Sequence, residues 1–537
     1  NKYQRGFEAQ GQGAPTDDLP DLSLTDKGEG KRTINSWHEK QRILSFFGRL
    51  NYDFKDKYLL SFVFRRDGYS SLLGDNRWGF FPGVSAGWIF GREDFIKEAI
   101  PVMSFGKLRA SYGINGNASG IGAYTLQGSY GSSNSNGSFN YNGNTSYLIT
   151  ELPNPNLRWE KTATFEVGAD LSFFANRLNT NLTYYNRLTS DKYAALSFPT
   201  STGFSSVTNN NGEFRNQGIE IELSGKIIDS KDWTWSASGN IAFNKNKIVS
   251  LPDNGMERNR INAFQVYTGN GDEKKWVGGQ QEGQEPGILY LYQADGIYRS
   301  YDEIPANLVR KYGSRTYYGP EAWNKLTAEQ QNATTNFPIQ PGDTKFHDVN
   351  GDDVIDEFDK VKVGATSPRW TGGFNTTLRW KNFQLYGRFD YALGFWLYEN
   401  SGTQSTTPWF MGCYQGTYNT PTMYYDTWSE SNPNAKYPRY LFADQNGKNN
   451  YIASTMFAYR GDYLAIREIS LSYSLPESVA KMLKMQRAEV SITGQNLGYI
   501  TGAKNVGSPE ANPKDNGAVG QGYSLPRTIL FGVNLTF

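Results

Sequence analysis

Apolar residues recur at every second position over long stretches of this chain. From Lys161 to Phe173, the residues Ala163, Phe165, Val167, Ala169, Leu171 and Phe173 alternate with Thr162, Thr164, Glu166, Gly168, Asp170 and Ser172. GIEIELSGKI sets Ile219, Ile221, Leu223 and Ile227 against Glu220, Glu222, Ser224 and Lys226. FGRLNYDF places Leu50, Tyr52 and Phe54 opposite Arg49, Asn51 and Asp53, and RAEVSITGQN sets Val490 and Ile492 against Arg487, Glu489, Ser491, Thr493 and Gln495. The last eleven residues, RTILFGVNLTF, carry Ile529, Phe531, Val533, Leu535 and Phe537 on one face, with Leu530 alone breaking the polarity of the other. A period of two is the signature of a strand with two unlike faces. Carboxylates and arginines fill the second face, so that face must be wet.

About 14 strands are expected, near 1–9, 43–54, 58–66, 78–90, 106–115, 159–173, 177–189, 214–227, 233–247, 368–380, 383–392, 463–474, 487–497 and 527–537. The segment near 124–130 is ambiguous. Very short turns join some pairs: KDK at 55–57, FAN at 174–176, IDSKD at 228–232 and KN at 381–382. Long polar segments separate these hairpins, at 190–213, 248–287, 299–367, 393–461 and 498–526. Short turns alternating with long loops predict a transmembrane antiparallel β-barrel, its short turns in the periplasm and its long loops outside. Two short-side connections are longer, GREDFIKEAIPVMSF and PESVAKMLKM, and each has room for a helical turn; Val479, Met482 and Leu483 fall at helical spacing.

Composition supports an all-β barrel. Aromatics make up 15% of 537 residues, yet the mean hydropathy is −0.62. A chain polar on average and rich in rings suits strands with one apolar face, long wet loops and aromatic girdles. No stretch approaches the roughly 20 apolar residues of a membrane helix. The net charge of +1 implies no nucleic-acid partner. The single Cys413 allows no internal disulfide, and His38 and His347 stand far apart. The opening NKYQRGFEAQ has no apolar signal region, as expected of a mature secreted chain or a fragment.

Four motifs invite chemistry. GVSAG at Gly83–Gly87 matches a nucleophile elbow on Ser85, but it lies in strand-like text with no histidine nearby, so a bend or packing position is the better reading. Arg460–Gly461–Asp462 reads as a chance adhesion tripeptide at a strand start. The aromatic text TPWFMGCYQGTYNTPTMYYDTW serves loop packing or ligand stacking, with packing favoured. DVNGDDVIDEFD is the strongest. Residues 348–359 follow an EF-hand or dockerin-like calcium loop, with oxygen ligands at Asp348, Asn350, Asp352, the Val354 carbonyl, Asp356 and Asp359. Position 6 is Asp353 rather than Gly, and position 12 is Asp359 rather than Glu. A structural Ca²⁺ pinning an extracellular loop is the expectation, against a solvated acidic loop as the alternative.

NRWGFFPGVSAGWIF, LRASYGINGN, LPNPNLRWEKTATFEVGADLSFFANRL, DVNGDDVIDEFDK, RGDYLAIREISLSYSLP, ITGQNLGYITG and YSLPRTILFGVNLTF occur in that order. The ordered set resembles the C-terminal barrel portion of SusC/RagA-type TonB-dependent outer-membrane transporters of Bacteroidota, over nearly the whole of 1–537. That resemblance implies a 22-stranded barrel, of which these are about the last 14 strands, and a plug domain not found in this chain. It implies import of oligosaccharides or peptides (nutrient uptake, glycan import among it), energised by TonB–ExbB–ExbD through the plug region absent here. It further implies a SusD-like surface lipoprotein as lid, a dimer of transporter–lid units, and contact with outer-membrane lipid or LPS. By the same resemblance, Phe537 is the signal read by the barrel-assembly machinery. Two other classes stay open: a passive 14-stranded porin complete in this chain, and an all-β enzyme, for which no acid–base constellation is visible.

Overall fold

A computed structural model of the chain describes residues 2–12, 32–398 (apart from 132, 135, 136, 139 and 143), 426–439, 452–503, 508–510 and 525–537. Thirteen strands form one antiparallel sheet in which each pairs with the next along the chain. They are β1 (Ile43–Phe54), β2 (Tyr58–Tyr69), β3 (Trp78–Trp88), β4 (Met103–Asn117), β5 (Glu160–Phe173), β6 (Leu178–Ser197), β7 (Ser206–Asp229), β8 (Trp233–Ser250), β9 (Trp370–Trp380), β10 (Phe383–Leu393), β11 (Tyr463–Ser474), β12 (Arg487–Thr501) and β13 (Thr528–Thr536). The remaining expected strand, near 1–9, exists as Lys2–Gly11 but stands apart from the sheet. It pairs with Arg32–Gln41, which runs into β1 after a single residue. Among the described residues β1 and β13 do not pair with each other, so the sheet has two edges.

The register puts the alternating residues where the sequence requires. Thr164, Glu166 and Asp170 share one face with Arg109, Ser111, Arg187, Tyr185 and Asn181 of the flanking strands. Phe165, Val167, Leu182, Tyr184, Ile219, Ile221 and Leu223 share the other, and all seven are exposed. A soluble sheet would cover such a face; here it is the lipid face. Leu530 lies opposite Thr493 on the inner face, as its parity demands.

Aromatic rings bound the apolar face at two heights. At the inner end Trp233 stacks on Trp380 with ring centres 5.6 Å apart, Trp380 on Phe383 at 6.0 Å, and Phe383 lies 4.6 Å from Tyr473. At the outer end Phe243 and Trp370 approach to 4.7 Å. Trp233 and Phe243 are both on β8, ten residues apart. At roughly 3.4 Å per residue and a tilt of about 40°, that spacing rises about 26 Å, close to the ~25 Å apolar band of outer-membrane barrels.

The inner turns are tight. Lys55 and Asp56 have φ of 57° and 52°, and Phe174, Ala175 and Asn176 have 54°, 55° and 63°. Left-handed backbone of this kind matches a two-strand turn to the twist of its strands. Asp53 accepts from the Asp56 amide at 2.8 Å, which offsets part of the cost. Beside the first turn, Glu93 accepts from Lys57, Tyr58 and the Trp88 indole at 2.7, 2.9 and 3.3 Å. These donors, Lys57 first, hold its carboxyl down to about 2. Both longer connections contain the expected helical turn, at Asp94–Ala99 and Glu477–Met482.

The outer segments differ most from the sequence reading. Residues 299–367, expected as a long polar loop, contain short strands and two helical turns around a core of their own. Strands Val309–Tyr312, Arg315–Tyr318, Asn336–Pro338 and Val354–Ile355 form a mixed four-stranded sheet. Each is four residues or shorter, too short to establish a period.

The two faces respond differently to charge. Leu223, near the middle of the apolar band, becomes costly as lysine: Leu223→Lys lowers stability by about 2–4 kcal/mol, whereas Glu222→Gln on the inner face changes it by well under ~1 kcal/mol. Urea unfolding of the protein in lipid vesicles reads both; equal losses would place Leu223 away from lipid.

Candidate functional site in the lumen and outer loops

The inner face is a wall of crossing polar side chains. Arg109 of β4 reaches Asp170 of β5 at 3.4 Å and Asn181 of β6 at 3.1 Å, and also bonds Thr183. Asn181 in turn donates to Asp170 at 2.8 Å, and Arg187 pairs with Glu166 at 3.3 Å. A concavity of about 570 Å³ further along the wall is lined by Asp170, Asn181, Glu222, Asn240, Asn375 and Arg388 among others. A second, of about 640 Å³, lies towards the outer end, with Arg65, Asp67, Asn115 and Asn117 beside Tyr69 and Trp159. These groups donate and accept hydrogen bonds without a proton-transfer pair among them. Their chemistry is that of a polar passage or binding wall.

One contact ties an outer loop to this wall. Arg467 pairs with Asp390 at 2.6 Å and with both carboxylate oxygens of Glu510, one at 2.9 Å. Tyr463 and Tyr499 donate to the same carboxylate at 2.8 and 2.7 Å. A β-bulge sets this up. Arg388 pairs with Glu468 and Phe389 with Ile466, so Arg467 is the extra residue. The ladder to β12 is broken at the same place. A bulge re-aims a side chain, and here it turns an arginine towards its two acids. Nothing in the sequence signals that residues 390, 467 and 510 converge.

The calcium-loop residues lie on the outer-loop unit. Asp348 accepts from the amides of Gly351 and Asp353 at 2.7 and 2.8 Å, Asp352 from Val354 at 2.8 Å, and Asp356 from Phe358 at 2.8 Å. Asp359, fully buried, accepts from Val349 and Asp356 at 2.8 and 2.7 Å. Burial pushes its carboxyl up to about 6 against those two amides, with the charges of Asp356 and Asp348 adding to the rise. Asp353 takes φ of 61°, the left-handed backbone that position 6 of such a loop needs. Val354 and Ile355 pair with Val309 and Arg310, and Ile355 is buried in the outer-loop core. The carbonyl-type oxygen Oδ1 of Asn350 is buried with no hydrogen-bond partner, while its Nδ2 donates to Asp352 and to Asp272. Asp272, 78 residues away, is an acid that the motif does not contain. Tyr267, next to this group, is raised to about 12 by burial and then by the charges of Asp356, Asp352, Asp359 and Asp272. Among the described residues, no three acidic, histidine or cysteine side chains gather tightly enough to hold a metal. The carboxylates are therefore grouped, but each is turned to a backbone amide.

The other motifs have structural roles. Ser85 lies mid-strand in β3, between Ser61 and Ser111. Arg460 of the RGD tripeptide pairs with its own Asp462, which also accepts from the Gly394 amide at 2.6 Å. His347 bonds Asp295 at 3.1 Å in the outer loops. Residues 407–425 of the aromatic loop, Cys413 included, lie outside the described residues. Trp428, just after them, donates to the Arg299 carbonyl. Phe537 follows β13 on the outward face and is exposed.

The family described as TonB dependent receptor-like, beta-barrel matches residues 1–318, more than half of the chain. TonB-dependent receptor P3 of Formosa agariphila is 29% identical over 512 residues, covering 94% of this chain and 46% of that protein. TonB-dependent receptor SusC of Bacteroides thetaiotaomicron is 27% identical over 552 residues, covering 100% of this chain and 47% of that protein. Among solved structures, the RagAB peptide transporter matches with a TM-score of 0.69 at 23% identity, over 97% of this chain and 50% of that one. The chain thus spans about half the length of the relatives it matches.

Proposed function

The chain belongs to the TonB-dependent receptor-like β-barrel family, and on that premise we propose that it forms barrel wall, lumen lining and outer loops of a SusC/RagA-type importer. It sits in the outer membrane of a Gram-negative bacterium and is not an enzyme. Its cargo is an oligosaccharide or a peptide, its energy comes from TonB–ExbB–ExbD, and a SusD-like lipoprotein covers its outer face, in a dimer of transporter–lid units. The observation that carries this reading is the sheet: an apolar outer face between two aromatic rows, a polar inner face, and folded loops at one end. Peptide cargo is what the RagAB transporter of like fold is named for, and the oligosaccharide class comes from the resemblance of the sequence to SusC-type transporters. A self-contained porin fits less well, because β1 and β13 are unpaired edges among the described residues and lipid does not tolerate open edges. Uptake of labelled oligosaccharides and peptides by cells expressing the full protein should stop when tonB is deleted. Unabated uptake in that strain sinks the importer and favours a pore.

We propose further that residues 348–359 hold a structural Ca²⁺, through Asp348, Asn350, Asp352, the Val354 carbonyl, Asp356 and Asp359. The left-handed Asp353 and the unpartnered Asn350 Oδ1 support a hard-oxygen site. Ile355, buried in the outer-loop core, would transmit its order to that unit. Calorimetric titration should give a Kd on the order of 10⁻⁴–10⁻³ M, as in extracellular modules. The Asp348→Ala/Asp352→Ala variant should lose that uptake, and identical titrations would remove the ion.

Phe537, outward and exposed beside the edge strand β13, is proposed as a contact for the assembly machinery. Phe537→Asp should lower the folded, heat-modifiable fraction in the membrane several-fold. An unchanged fraction argues against that role.

A further inference from the structure

Above the outer aromatic row, the lipid-facing side of β7 and β8 changes character. Phe243 and Trp370 close the apolar band. Two residues higher on the same face of β8 stands Lys245, and two higher again Lys247, both exposed. Lys247 is paired across the ladder with Arg215 of β7, and Lys245 with Gln217. At about 3.4 Å per residue and a tilt of about 40°, the lysines stand roughly 5 and 10 Å above the apolar band, at headgroup height.

These three cations form no ion pair within 4 Å among the described residues. The neighbouring carboxylates are engaged or separate. Glu282 holds the Leu251 amide and Asn259, Glu285 pairs with Arg369, and Glu213 forms no ion pair with any of the three. The Nε of Arg215 is moreover buried with no hydrogen-bond partner. A guanidinium's planar donor set matches phosphate well, and a bound phosphate would draw the Arg215 head outward to meet it.

We propose that Arg215, Lys245 and Lys247 form a site for a phosphate-bearing lipid headgroup of the outer leaflet. The lipid's acyl chains would lie along the apolar band beside Tyr184, Ile219 and Phe243. Lipid is favoured over a soluble anion because the cluster faces away from the lumen and lies directly above the ring row that marks the edge of the hydrocarbon. The inference rests on membrane placement and not on the cargo or energy source of the importer, so it survives if either of those fails.

Native mass spectrometry of the delipidated full-length protein in detergent provides the test. The probes are bisphosphorylated lipid A, the same lipid dephosphorylated, and inorganic phosphate. The expected result is at least tenfold preference for the phosphorylated lipid, and a loss of about tenfold or more in Arg215→Gln/Lys245→Gln/Lys247→Gln. Each cation near a membrane surface contributes about a fivefold factor. Lys226→Gln, on the inner face near the periplasmic end of β7, should leave retention unchanged. Heat-modifiable mobility on gels checks folding; if the triple variant fails that check, Lys247→Gln alone should still weaken retention about fivefold. Equal retention by wild type and a folded variant overturns the site. Equal retention of the dephosphorylated lipid overturns phosphate recognition, and displacement of the lipid by equimolar inorganic phosphate makes it a soluble-anion site instead.

Discussion

Everything in this fold answers to the backbone hydrogen bond in hydrocarbon. An unpaired N–H or C=O costs several kcal/mol where no water can reach it, so a chain crossing lipid as strands must pair each strand on both sides. The meander from β1 to β13 does this for eleven strands, which leaves β1 and β13 with one free edge each. The same constraint fixes the side chains. Pairing locks register, register locks parity, and a slip of one residue would turn Glu220, Glu222 and Ser224 into the bilayer. The aromatic rows then fix height, as Trp233 and Phe243 hold the two edges of one apolar band.

Because lipid imposes a period of two, the barrel was legible in the sequence. Phe165 to Phe173 and Ile219 to Leu223 name their faces without any structure. The tight turns were legible too, since a few polar residues between two alternating runs leave no other path. What parity cannot reach is the region where lipid no longer acts. Outside the membrane, Tyr298, Tyr317 and Phe346 pack with Ile339 and Ile355 across more than fifty residues of chain. Their strands are too short to carry a period, and their partners are set by tertiary contact alone. Arg310 illustrates this. It is buried with its guanidinium over the rings of Tyr317 and Phe346, a place that no local pattern assigns to an arginine.

The candidate sites divide along the same line. The proposed calcium loop could be read from sequence because its candidate ligands are local, spaced as one turn would require. Asp272 could not, because it arrives from another loop. The wall network from Arg109 to Thr183 follows from parity once register is known, but the choice of partners does not. The Arg215, Lys245 and Lys247 group needs both register and height: in sequence, Arg215 is separated from the lysines by a complete hairpin.

Arg467 gives one strand an unusual tolerance. Everywhere else in β11, adding or losing a residue would exchange the lipid set for the lumen set over the rest of the strand. At the bulge, Ile466 and Glu468 already face consecutive residues of β10. Loss of Arg467 would leave Ile469 and Leu471 in lipid and Ala465 facing inward, so the strand would keep its phase. Within β11, variation in length therefore has an admissible address at this bulge, inside the barrel wall. Using it would forfeit the clasp on Glu510.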